Sequence, residues 1–595
     1  MKRVTDIISE FISAKGIEDV FMVSGGGLLF LTDGLYKNEK LNKVCCHHEQ
    51  AAAMAAVGYA KYKGIGCAYI TTGCGGTNAM TGLLNAYQDN TPCIFISGQV
   101  KRKESTRYRN LDIRQLGVQE ADIVSIVEHI TKYAVMLTEA EDVYYELEKA
   151  YHTAISGRPG PVWIDVPMDV QGAVVDETKL RHFVPEDKIK ICATEEEISI
   201  LKSAFEHAKR PIIVAGQGVR LSKAIDEFQK FVERYEIPFV ASRLGTDVLP
   251  TENPLFIGRI GNKGTRAGNF AVQNADFVLA LGSRLSVSST GHEYEYFARE
   301  AKIFAVDIDT KEHKKGTVRI DKEINCDIKE FLKNFDIKED IKYSEWAKIC
   351  LNWKNKYPVA LEEYKKEERV NLFTFINELS GCLKEDSVVV SDAGSAVYVT
   401  AQGIKTTTKA QRYVTSGGQA EMGFTLPAVI GVCFAKNQTE AIGITGDGSL
   451  QMNIQELQTL KHYNIPVKLF VWNNDGYLSI RSSQDKLFEG RKIGTDSTNG
   501  VSFPDLEKIS YAYGLKYIRI NNPHELKEKI TEVLSYNEPV ICEVMCIRDQ
   551  PIVPMVSSKR LPDGRMVSTP IEDMYPFLDR KEFLQNMIVK PVEEE

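Results

Sequence analysis

The chain has 595 residues, 43% hydrophobic and 26% charged, with 73 basic against 81 acidic side chains and a net charge of −8. That balance belongs to a globular protein and excludes disordered, collagenous and coiled-coil chains, and the acidic excess speaks against a general nucleic-acid binder. No apolar run approaches the ~20 residues of a membrane span, the first residues lack a signal-peptide core, and the 12 cysteines show no CxxC spacing, so a cytoplasmic protein with reduced thiols and no membrane or nucleic-acid partner is expected.

Three blocks repeat one grammar of short apolar runs alternating with helical patterns. In the first, VFMVSGGG, GCAYITTG and PCIFISGQ stop at glycines, and EQAAAMAAVGYAKYKG and NAMTGLLNAYQ follow as helices. RPIIVAGQG, IPFVAS, ADFVLALGSR and AKIFAVDID form the second block; SVVVSDAGS, EAIGITGDGS, VKLFVWNNDG and PVICEVMC form the third. Near-continuous Val/Ile runs predict strands buried on both faces, hence parallel sheets covered by helices. The expected fold is α/β, with three doubly wound parallel-sheet domains. Charged stretches set the boundaries near residues 185 and 355, giving domains 1–185, 186–355 and 356–595. Ligands of such sheets sit beyond the carboxyl ends of the strands, where the glycines fall.

The strongest chemical signal is GDGSLQMNIQEL followed by VWNND. Asp447 and Asn474 each end a buried-strand pattern, at a spacing that suits strand, helix and next strand. A carboxylate, an amide oxygen and a loop carbonyl are hard ligands that, with two diphosphate oxygens, complete the octahedron of Mg²⁺. Gly448 and Ser449 open a helix whose free N–H groups suit a phosphate. Taken alone, each segment also reads as an ordinary turn.

These segments resemble the signature of thiamine-diphosphate (ThDP) enzymes. HHEQAAAMAAVGYA, TTGCGGTNAMTGLLNAYQDNTPCIFISGQV, SGRPGPVWIDVP and TSGGQAEMGFTLPAVIG are similar to blocks of the acetolactate synthase branch. The resemblance implies a pyrimidine-binding domain, a central Rossmann-like domain and a diphosphate-binding domain. It also implies a homodimer or homotetramer whose active sites join Glu49's domain of one subunit to Asp447's domain of the other.

Residue by residue, the resemblance makes Glu49 the carboxylate that bonds the pyrimidine ring nitrogen and favours its imino tautomer, so that the cofactor carries its own base. Met422 falls on the bulky wedge under the cofactor's bend. Gly25, Gly26 and Gly27 match a loop beside the pyrimidine and the reacting carbon, and Gly73, Gly75 and Gly76 a second close-approach loop. Gly394, Ser395 and Ala396, together with Gly446, Gly448 and Ser449, match the diphosphate side. Asp447, Asn474 and Gly476 match the metal ligands, and Gln119 an active-site glutamine near the substrate.

Departures cluster on the acceptor side. Ser288 stands where the family has an arginine for the acceptor ketoacid's carboxylate, and serine cannot replace a bidentate guanidinium. Met168 replaces a lysine, Val118 a phenylalanine and Ser483 a tryptophan. A longer basic loop carries Lys101, Arg102, Lys103, Arg107, Arg109 and Arg114, a candidate rim for a phosphate-bearing acceptor. GRIGNKGTRAGN and DIDTKEH echo the family's flavin-binding region, but its DDR segment is absent, and the balance falls against FAD. The expected function is a carboligase that decarboxylates pyruvate or a similar 2-ketoacid and transfers the activated unit to a carbonyl acceptor, with a nucleotide-linked keto-sugar as one candidate. Acetolactate synthase proper and a 2-ketoacid decarboxylase are the alternatives.

Overall fold

The computed structural model describes residues 1–186, 191–560 and 565–592. Each block builds one six-stranded parallel sheet. The first runs Asn42–Cys45, Asp19–Met22, Gly66–Ile70, Cys93–Gln99, Val162–Pro167, Tyr133–Met136. The third runs Arg412–Thr415, Val388–Ser391, Ala441–Gly446, Val467–Asn473, Val540–Met545, Lys516–Ile520. Both lay their strands in the same order: second, first, third, fourth, sixth, fifth. The central sheet, Phe256–Arg259, Phe239–Ala241, Pro211–Ala215, Phe277–Leu281, Lys302–Asp307, Lys322–Asn325, has the dinucleotide-fold order, with its switch point beside its first strand. Each expected apolar run named above lies in one of these strands. Strands such as Cys93–Gln99 and Phe277–Leu281 are buried at every residue, as helices on both faces require.

The first and third domains share one core. The helix Glu49–Lys63 is buried on every side from Ala51 to Ala60 and packs against Thr425–Ala435. Two glycines permit the crossing. A Cβ on Gly58 would lie 2.3 Å from the Ala428 carbonyl oxygen, and one on Gly431 would lie 1.9 Å from that of Ala55. Beyond the last strand, the chain leaves the third sheet and wraps the central domain. Asn269 donates to the Ile571 carbonyl, Arg299 pairs with Glu572, and the helix Arg580–Asn586 places Asn586 against Trp353. Among the described residues no helix is long and apolar enough to cross a membrane.

Candidate active site

At the carboxyl end of the first sheet, the loop after Gly66–Ile70 gathers the pyrimidine-side candidates. Glu49 opens its helix almost buried, at 8% exposure, and its Oε2 accepts from Asn78 Nδ2 at 3.0 Å. Oε1 lies 3.2 Å from where a Cβ on Gly75 would stand, so glycine there keeps that oxygen open. A Cβ on Gly25 would strike Thr71 Oγ1 at 2.3 Å, and one on Gly73 would strike the Gln119 carbonyl at 2.1 Å. Glu49, Gly25, Gly75 and Gln119 therefore surround one loop. Gly26 borders open space, as a loop that leaves room for a ligand requires. An added Cβ there would meet nothing, and the tight contact falls on Gly27, against Thr72. None of Gly25, Gly26 and Gly27 has positive φ, so a left-handed turn is not the reason for glycine here.

The basic loop also differs from a free cationic rim. Arg102 is bonded to Asp169 and to the Thr138 carbonyl, and Arg107 to Asp122. Lys101, Lys103, Arg109 and Arg114 are exposed. Glu120, which sequence reasoning misses, pins the loop: its carboxylate accepts from Thr106 N and Oγ1, Leu116 N and Gly117 N. Burial pushes this carboxyl up, but the Thr106 hydroxyl and the N–H donors outweigh it and hold the group below its ordinary range. Beside it, Gln119 is held at φ 61, and Val118 is 85% exposed.

The diphosphate-side candidates meet at the carboxyl edge of the third sheet. Asp447 directly follows its strand and accepts from Gly448 N at 2.8 Å and Gly476 N at 3.0 Å. Desolvation pushes its carboxyl up to about 7. Asn474 Oδ1 is buried without a hydrogen-bond partner. A hard cation beside these two groups would relieve both costs, so the donor set fits Mg²⁺. Among the described residues no three His, Cys, Asp or Glu side chains gather for a metal; Asp447 and Asn474 offer one carboxylate and one amide oxygen. Gly476, at φ 134, must be glycine, because a Cβ would stand 2.1 Å from the Thr495 carbonyl. The buried Arg481 clamps the loop through the carbonyls of Asn474 and Asp475, each at 3.0 Å.

Gly394, Ser395 and Ala396 open the helix Gly394–Gly403, whose first N–H groups suit an anion. A Cβ on Gly448 would strike the Tyr477 ring at 2.2 Å, whereas one on Gly446 would meet nothing. Ser449 also braces the site from behind, since its hydroxyl donates to Asp392 at 2.6 Å and accepts from Gly423 N at 2.8 Å. Asp392, a second residue that sequence reasoning misses, ties strand ends to the loop that carries Met422. Met422 is half-buried and lies outside the hydrophobic cores. That loop is strained, with Ala420 at φ 51; such outliers gather at functional sites.

A cavity of about 1040 Å³ opens where the three domains meet, over the switch point of the central sheet. Gly218, Gly282, Arg243, Ser288 and Asp307 line it, with Gly417–Ala420 of the Met422 loop.

Comparison with known proteins accounts for this arrangement. Residues 2–126, 198–335 and 392–544 match the N-terminal TPP-binding, central and C-terminal TPP-binding domains of thiamine pyrophosphate enzymes. The acetolactate synthase large subunit of Lactococcus lactis is 32% identical over 566 residues, covering 93% of this chain and 94% of the relative. The chain belongs to the ThDP enzymes, in the acetolactate synthase branch. The probable acetolactate synthase large subunit of Methanocaldococcus jannaschii is 33% identical over 95% of this chain and 94% of its own length. That of Haemophilus influenzae is 29% identical over 96% and 100%. This ThDP enzyme is thus a carboligase of the acetolactate synthase type, built from three doubly wound domains.

Proposed function

We propose that this enzyme is an acetolactate synthase proper, the alternative of the sequence reading: it decarboxylates pyruvate and joins the two-carbon unit to a second 2-ketoacid. The likeness along nearly the full chain to relatives bearing that name carries the reading. When bound, ThDP supplies the carbanion stabilisation that a protein side chain lacks. Glu49, oriented by Asn78, would bond the pyrimidine nitrogen and set the tautomer. Gly25 and Gly75 would leave room for the ring, Met422 would support the cofactor from below, and Gln119 would lie on the substrate side. The helix starts at Gly394 and Asp447 would hold the diphosphate, with Ser395, Ala396, Gly448 and Ser449 around it, while Asp447, Asn474 and the Gly476 carbonyl would hold Mg²⁺. The enzyme works as a homodimer or homotetramer.

Glu49→Gln tests the core of this reading. The amide cannot stabilise the protonated ring, so hydrogen–deuterium exchange at C2 of bound ThDP should fall by two orders of magnitude or more while ThDP still binds. Exchange at the wild-type rate would remove Glu49 from its role.

One observation favours a second reading, a phosphate-bearing acceptor: Ser288 faces the cavity without a guanidinium, and Lys103, Arg109 and Arg114 stand exposed. Product analysis with ketoacids and nucleotide keto-sugars separates the two. The cavity's size and its place at the switch point support a bound nucleotide such as FAD, against the balance drawn from the missing DDR segment. A flavin spectrum of the purified protein decides that point.

A further inference from the structure

Three cations lie around one tyrosine at the junction of the central and third domains. The Arg243 guanidinium carbon is 5.3 Å from the Tyr398 ring centroid and Lys263 Nζ is 5.8 Å from it. Arg259 lies beside them, 4% exposed, with Nε and Nη1 buried and without a partner. Burial first, and the charge of Arg243 second, pull the Arg259 pKa down to about 9. Lys263 finds only the Ile552 carbonyl and the Met555 sulfur. Among the described residues no carboxylate pairs with any of the three. Arg259 is buried, and Arg243 and Lys263 are half-buried; a buried cation is ordinarily paired, so this cluster without anions calls for a ligand that brings one.

Arg243 shows where that ligand would sit. Its Nη1 donates to the Gly417 carbonyl at 2.9 Å, which fixes the guanidinium against the Met422 loop. Its Nε is buried without a partner. Nε and Nη2 form the edge that grips an oxyanion bidentately. Arg243 and Tyr398 line the same cavity as Ser288. The Ser288 carbonyl accepts from Asn262 N at 3.0 Å, one residue before Lys263. The cationic cluster and the position that lacks its arginine thus belong to one wall.

We propose that Arg243, backed by Arg259 and Lys263, binds the anionic group of the acceptor, the carboxylate of a 2-ketoacid, in place of the missing arginine at position 288. The inference rests on the carboligase reading and names the acceptor subsite within it. It relocates the anion site from the basic loop, where Arg102 and Arg107 are already held by carboxylates.

The test offers the holoenzyme pyruvate as donor, with 2-ketobutyrate and propionaldehyde as competing acceptors, and reads the product ratio by mass spectrometry. In Arg243→Leu the ratio of ketoacid product to aldehyde product should fall at least tenfold. Dihydroxyacetone phosphate forms a second arm; a wild-type preference for it that Arg243→Leu abolishes would keep the anion site and assign the charge to phosphate. An unchanged ratio in both arms overturns the proposal. Arg259→Met separates a binding role from a structural one. Removing an unpartnered buried charge should raise the melting temperature while lowering the same ratio; a lower melting temperature with an unchanged ratio overturns the role of Arg259. If the wild type forms no carboligation product at all, the functional reading fails. Calorimetry with oxamate, an unreactive carboxylate, then decides the site: binding lost in Arg243→Leu supports it, and equal binding overturns it.

Discussion

Glu421 immediately precedes Met422 and reaches across to the first domain, where Asn85 Nδ2 donates to its Oε1 at 2.6 Å; Ser416 bonds the other oxygen. Burial pushes its carboxyl up to about 7, with the Ser416 hydroxyl and Asn85 pulling the other way. Lys61, whose charge pulls the same way, is committed to Asp89 and the Thr415 carbonyl. A carboxyl with a folded pKa above its unfolded value binds its proton more tightly in the folded state. Its contribution is therefore complete below about pH 4.5 and is lost as pH rises toward 7. Glu421→Gln keeps both hydrogen-bond positions and removes the titration. The fall in melting temperature of the wild type between pH 5 and 7 should flatten in this variant; parallel curves would show that another group sets it. Residues of this kind mark the limit of sequence reading. Glu49, Asp447 and Asn474 were legible because each sits at a strand end or helix start inside a local pattern. Asp392, Glu120, Arg481 and Arg243 were not, because what makes each matter is a partner brought in by folding. For Gly26 and Gly27, only the neighbour across the loop tells which glycine the protein itself crowds.

The helix pair Glu49–Lys63 and Thr425–Ala435 turns composition into geometry. That EQAAAMAAVGYAKYKG forms a helix is read from the sequence alone. Its partner, hundreds of residues away, is not. Nor is the depth of the crossing, which depends on Gly58 and Gly431 lying against backbone rather than side chain. Two effects of opposite sign meet at Gly431. In a free helix, alanine for glycine gains about 1 kcal/mol of propensity. Here the new methyl would stand 1.9 Å from a carbonyl oxygen that belongs to the opposite helix and cannot swing away. Overpacking of this kind costs about 1–3 kcal/mol, so the clash prevails. Gly431→Ala should lower the melting temperature and weaken ThDP binding together, because the same helix pair carries Glu49 at one end and the Met422 loop at another. A stabilised variant with unchanged ThDP affinity would mean that the helices can part without cost.

At the scale of the molecule, the two ThDP half-sites sit on two sheets of identical strand order, Glu49 on the first and Asp447 on the third. Exposed apolar side chains flank both: Leu29, Ile113 and Val118 near the first, Ile480, Phe488 and Ile493 near the third. Such surface suits a second copy of the chain. The closed symmetry of a dimer makes the subunit arrangement testable by complementation. Glu49→Gln and Asp447→Ala should each be inactive alone, the first for want of the tautomer and the second because the metal would lose its carboxylate ligand. If every site takes Glu49 from one subunit and Asp447 from the other, a mixed dimer pairs both defects in one site and leaves the second site intact. After unfolding and refolding an equal mixture, half of the dimers are mixed and half of their sites are whole, so about a quarter of wild-type activity should return. If each site lay within one chain, every site in every dimer would carry a defect and no activity would return. The outcome depends only on which chains build the site, so loss of stability in either variant scales the recovered activity without creating it.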